Sequence, residues 1–192
     1  MSTRDGLTRE TLTRRVVVGV DGSPWSVDAV REAFGFARSM NAALHVVMAW
    51  EYRPPATSTS FGWDAAGREA ANAAALEALA QSIQGVFGEA LLTPGTWMQE
   101  GVQVTAMLVE GAPASVLCTA GQEADLLVVG ARGRSRVGAL LLGSVSRRVV
   151  AHASCPVLVV PWKRAEQESV LPKDVTAEDA ATEAAARAAA SM

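Results

Sequence analysis

The segment Gly130 to Ser146, GARGRSRVGALLLGSVS, holds the residue types of an anion site. Gly130, Gly133, Gly143 and Ser144 are spaced as G-x2-G-x9-G-S. They follow the apolar run Asp125 to Val129 (DLLVV), which has strand character, and lead into a helical pattern ending near His152. Glycine lets a backbone come close to a bulky anion, and a serine opening a helix can cap it and donate to phosphate. Between Ala131 and Val150 stand Arg132, Arg134, Arg136, Arg147 and Arg148, with no acid among them. The same glycines could equally end a strand and admit close helix packing, and loop arginines are commonly solvated, so spacing alone leaves both readings open. There is no G-x-x-x-x-G-K-[ST] and no G-x-G-x-x-G after a strand, so any anion is held without a P-loop lysine.

The other reactive residue types form no recognisable constellation. His45 and His152 lie away from any predicted Ser or Cys nucleophile and read as structural. Cys118 and Cys155 fall in predicted buried elements without metal-ligand spacing, and are expected as packed, reduced thiols. No catalytic residue and no metal-ligand set is expected. Trp25, beside the DGSP turn, could cover a bound base or simply pack at a helix start.

Strands and helices must position these residues, and they alternate along the chain. Arg15 to Val20 (RVVVGV) is a β-branched run suited to a strand buried on both faces. Ser23 as N-cap and Pro24 in the first turn predict a helix, with Ala29, Ala33, Phe36, Ala37 and Met40 at helical spacing. The second strand spans Ala43 to Ala49, and the Pro/Ser/Thr loop from Glu51 to Trp63 is long enough to be functional or mobile. A helix is predicted from about Asp64 to Gly88, a third strand at Gln103 to Val109, and a short helix at Pro113 to Ala120 closed by a left-handed Gly121. Asp125 to Val129 is the fourth strand, Ser144 to Ala153 the next helix and Pro156 to Val160 the last strand. Strands alternating with helices predict an α/β fold, a parallel sheet with helices on both faces. Ligands of such sheets bind at the carboxyl ends of strands.

With 192 residues, 49% hydrophobic and a mean hydropathy of +0.18, the chain can bury one domain's core, with some length to spare. Residues 1–13 are expected as a mobile tail and 163–192 as a solvated, Ala-rich extension. A net charge of −3 gives no push toward nucleic acid. No signal segment and no membrane span is visible, so a cytoplasmic location is expected.

Four separated segments carry a resemblance. VVVGVDGSPWS (Val16 to Ser26), ALHVVMAW (Ala43 to Trp50), GARGRS followed at its family gap by GSVSRRV, and CPVLVVP (Cys155 to Pro161) together resemble the universal stress protein family over residues 14–162. The resemblance implies an open five-stranded parallel sheet, Rossmann-like and flavodoxin-like, with strand order 3-2-1-4-5. It further implies that the turn after strand one and the loop after strand four face one crevice. In members that bind ATP, Gly19, Val20 and Asp21 would lie by the adenine and ribose, with a backbone contact from Val46. Gly130, Ala131, Arg132 and Gly133, with Gly143, Ser144, Val145 and Ser146, would hold the phosphates, and Mg²⁺ would be held by the phosphates. Asp21 has a second reading, as the turn-forming residue of DGSP. Ser146 stands where other members have Ser or Thr. The family commonly dimerises through its last strand, here 155–161.

Three functions follow. One is an ATP-binding stress-response regulator that acts through nucleotide-dependent interaction with a protein partner the sequence does not name. A second is a slow adenine-nucleotide hydrolase, disfavoured because residues 131–150 offer no group to position water. The third is a protein-interaction module in which nucleotide is incidental. A flavodoxin-like electron carrier fits poorly, since DGSPWS replaces the Ser/Thr-rich phosphate loop after strand one.

Overall fold

Runs such as RVVVGV and ALHVVMAW are apolar on successive residues, which only a strand covered on both faces can bury. The computed structural model describes residues 14–53, 65–88, 94–133 and 142–161, all within the unit Met1–Trp162. Along the chain come β1 (Arg15–Val20), α1 (Pro24–Met40), β2 (Ala43–Trp50), α2 (Ala65–Phe87), β3 (Gly95–Gln99), β4 (Val102–Glu110), α3 (Pro113–Gly121), β5 (Leu126–Gly130), α4 (Ser144–His152) and β6 (Val157–Val160). The sheet runs β3-β4-β2-β1-β5-β6, and every pairing is parallel except that of β3 with β4. Without β3, the order is the expected 3-2-1-4-5. The expected tails (1–13 and 163–192) and the Pro/Ser/Thr loop beyond Arg53 lie outside the described residues. Among the described residues, no helix is long and apolar enough to cross a membrane.

Side-chain alternation sorts each strand between two cores. Val16, Val18, Leu44, Val46 and Val104 pack with Ala29, Val30, Ala33, Leu79 and Ile83 from α1 and α2. Val17, Val47, Leu127 and Val129 pack with Leu117 of α3 and Val149 of α4 on the opposite face. Three aromatics meet edge to face at one place, Phe34 against Phe87 and Phe87 against Trp97.

Three sequence expectations need correction. The sheet has a sixth strand, β3, joined to β4 by Glu100 and Gly101, both at positive φ (45° and 83°). Two such residues form the tight turn whose twist matches a hairpin. Gly121 is not a left-handed cap; it is the last residue of α3, with right-handed backbone. A Cβ there would lie 3.3 Å from Cys155 Sγ and from Leu127 Cδ2, so its lack of a side chain serves packing. Ser23 occupies the N-cap position of α1 but makes no side-chain cap; its own amide instead donates to Asp21 Oδ1 (3.0 Å).

His45 lies on β2 and is half-buried. Burial, and then the charge of Arg15, push its pKa below the ordinary imidazole value. A lowered folded-state pKa means that the unfolded chain takes up the proton first as pH falls. Stability is therefore expected to be full above about pH 6.5 and to fall below it, until the folded-state pKa is passed. Urea midpoints from about pH 8 to about pH 5 should drop less in His45→Gln than in the parent. Equal drops would remove His45 from the explanation.

Candidate functional site

β1 and β5 are parallel neighbours, with Val16 opposite Leu126 and Gly19 opposite Val129. The chain leaves β1 toward α1 on one face and re-enters from β5 toward α4 on the other. The two carboxyl ends therefore splay apart, leaving a crevice at a topological switch point. A cavity of about 310 Å³ opens there. That is within the range of small-molecule pockets, about 300–1,000 Å³.

The floor is set by a row across the sheet. Gly19 stands between Val47 of β2 and Val129 of β5 in register. Leu117 of α3 rests directly on Gly19, where an added Cβ would lie 2.6 Å from Leu117 Cδ1. Ala49 and Pro113 complete an apolar slot beside it.

The polar rim comes from the turns after β1 and β5 and from the start of α4. Asp21 is braced in the first turn: Ser26 Oγ donates to Asp21 Oδ1 (2.7 Å) and accepts from the Asp21 amide (3.0 Å). With the Ser23 amide also on Oδ1, that oxygen is fixed toward α1. The other oxygen, Oδ2, abuts Gly133, where a Cβ would overlap it. Glycine at 133 thus lets the two turns touch. At Gly130 a Cβ would come within 3.1 Å of the Arg132 carbonyl, so the chain reverses tightly after β5.

Among the described residues, no side chain caps the first turn of α4. Gly143 is its N-cap, in extended conformation. The opening amides of a helix have no intrahelical acceptor and carry the positive end of its dipole. Those of Ser144, Val145 and Ser146 therefore face the crevice that these residues line. Two groups of the motif are used internally. The Gly143 amide donates to the Ala131 carbonyl (2.7 Å), and Ser146 Oγ donates to the Gly130 carbonyl (2.6 Å). The Ala131 amide donates in turn to the Val160 carbonyl (2.7 Å). Ser146 is accordingly a latch between α4 and β5, with its single hydroxyl proton already committed.

Of the sequence-predicted residues, Gly19, Val20, Asp21, Gly130, Arg132, Gly133, Gly143, Ser144, Val145 and Ser146 line the crevice together. Ala131 shapes it through its backbone bonds. The side chain of Val46 is fully buried in the opposite core, and its neighbour Val47 takes the lining position; the contact expected of Val46 is through its backbone. Ser26, Ala49, Pro113, Leu117 and Val129 also line the site without having been singled out from sequence. Ser26 had a legible signal, a small hydroxyl one turn into the helix that Asp21 precedes. Residues 134–141, with Arg134 and Arg136, lie outside the described residues. Among the described residues, no group of three His, Cys, Asp or Glu side chains could hold a metal.

The model of the universal stress protein family matches residues 13–161. A universal stress protein of Thermus aquaticus is 35% identical over 149 residues, covering 77% of this chain and 98% of that protein. Among solved structures, the universal stress protein UspA from Lactobacillus plantarum superposes with a TM-score of 0.57 at 28% identity, over 77% of this chain and 97% of that one. A universal stress protein solved in complex with cAMP superposes with a TM-score of 0.51 at 30% identity, over 79% and 98% of the two chains.

The Ser26 hydroxyl makes two hydrogen bonds to Asp21 at the rim and a longer one with Ser23 Oγ (3.4 Å). Its loss in Ser26→Ala should cost about 1–3 kcal/mol. Chemical denaturation would show this as a lower midpoint with unchanged slope; an unchanged midpoint would mean that Asp21 needs no brace.

Proposed function

The chain belongs to the universal stress protein family, and we propose that it binds ATP in the β1/β5 crevice and acts as a stress-response regulator whose interactions depend on that nucleotide. One observation carries this reading. A single cavity joins an apolar slot, floored by Gly19, Val47 and Val129, to the N-terminus of α4, which no described side chain caps. The slot suits a flat base that sheds water, and the helix start suits an anion. A nucleotide joins both properties in one molecule. The relative solved with cAMP supports an adenine nucleotide.

In this reading Val47, Ala49 and Leu117 bury the base, and Asp21, fixed by Ser26, offers Oδ2 to the sugar. The amides of Ser144, Val145 and Ser146 and the Gly133 backbone receive the phosphates. Asp21 is the one carboxylate among the described lining residues, so Mg²⁺ would be held mainly by the phosphates. A bound metal ion would supply charge neutralisation there, and the protein would supply position.

Proline is well tolerated at the first position of a helix yet has no amide proton. Ser144→Pro therefore removes one donor from the proposed phosphate seat while leaving α4 intact. Calorimetric titration of ATP with Mg²⁺ should give saturable binding to the parent, weakened roughly tenfold to a hundredfold in the variant. A folded parent that takes up no heat would refute the nucleotide reading and leave the glycine loop as an interaction scaffold.

The same proposal includes a homodimer through residues 155–161. Among the described residues β6 ends the sheet, and its outer edge can pair with a second copy. Light scattering at micromolar concentration should report twice the chain mass of 20.0 kDa; a monomer would discard this interface.

A further inference from the structure

The chain has two cysteines, Cys118 and Cys155, and both are partly exposed thiols in the core layer between the sheet and α3 and α4. Cys118 lies on α3 three residues before Gly121, so positions 118 and 121 share a helix face, with Cβ sites about 5–6 Å apart. Cys155 follows α4 in the turn before β6, and its sulfur is laid on Gly121. A methyl group at 121 would stand 3.3 Å from Cys155 Sγ. The Cys155 sulfur is therefore seated against the very face of α3 that carries Cys118, in space that glycine leaves open.

We propose that Cys118 and Cys155 form a site of reversible oxidation, closing to an intrachain disulfide when the protein meets a hydroperoxide. One thiolate attacks hydrogen peroxide, the O–O bond breaks, and a sulfenic acid and hydroxide result. The second thiolate displaces hydroxide from the oxidised sulfur, and the S–S bond forms. Overall the two thiols lose two electrons and two protons, and the peroxide leaves as two waters. Both cysteines are partly exposed residues within reach of a small oxidant, and the nearby second thiol can resolve the sulfenic acid before further oxidation.

Electrostatics place the two sulfurs within reach of each other's charge. Burial raises the Cys155 pKa above the ordinary thiol value, its own and Leu127's backbone groups lower it, and the charge of Cys118 raises it. The raised pKa lowers the thiolate fraction of Cys155, so its own attack on peroxide quickens as pH rises. The bridge would tie α3, whose Leu117 covers Gly19, to the turn that follows α4.

The test uses the full reduced protein, treated with hydrogen peroxide and then denatured and alkylated with N-ethylmaleimide. Intact mass should fall by two hydrogens with no maleimide added. Digestion should release a peptide pair joining Cys118 to Cys155 from monomeric chains, and dithiothreitol should restore both labels. In Cys118→Ser and Cys155→Ser the remaining thiol should be trapped by dimedone as sulfenic acid. Two labelled cysteines after treatment, sulfinic acids in place of a bridge, or bridges only between chains would each overturn the proposal. The parent's readout decides the matter even if a serine variant fails to fold.

Discussion

The crevice exists because β1 pairs in parallel with β5 while the chain leaves the two strands on opposite faces. Everything at the rim is referred to that pairing. Asp125 seals its start, accepting from the Arg15 amide through Oδ2 (2.7 Å) while its own amide donates to the Arg15 carbonyl (2.8 Å). The ion pair of Arg15 with the exposed Glu123 lies beside this clamp and adds little, since water screens it. At the far end, the same register brings the Asp21 turn against Gly133. A slip of one residue would turn Val17 and Val129 toward the wrong core and separate those turns.

Glycine serves this arrangement in more than one way. At 130 and 133 its value is the absence of a Cβ where backbone and carboxylate crowd in. At 19 it makes room for Leu117, so that an α3 side chain covers the middle of the sheet and walls the slot. A glycine pattern that resembles a phosphate cradle is thus also required by the protein's own packing. The open amides of α4, rather than the glycines themselves, are what recommend an anion.

Most of the sheet was legible because long apolar runs bounded by Asp, Gly and Pro have few alternatives to buried parallel strands. β3 was not, since GTWMQ is short, half-exposed and turned by Glu100, a residue that seldom accepts positive φ. The motif residues of the crevice were legible by resemblance, and their grouping follows from strand order. Val46 and Val47 could not be told apart. In a strand buried on both sides every residue is apolar, so the alternation that would assign a face is erased. Nor could sequence tell that Ser146 spends its proton on the Gly130 carbonyl, because that depends on how α4 docks.

The Arg15–Asp125 clamp joins residues 110 positions apart. In time, then, the crevice is among the last things the chain can make. While β1, α1 and β2 emerge from synthesis, one edge of β1 has no neighbour until β5 follows much later. Pairing across so long a loop is slow to nucleate, because chain entropy must be surrendered before any contact repays it. During that interval an apolar strand edge stands open to other chains. A completed crevice therefore certifies a completed domain: no shorter N-terminal fragment possesses the Gly133 turn that Asp21 meets.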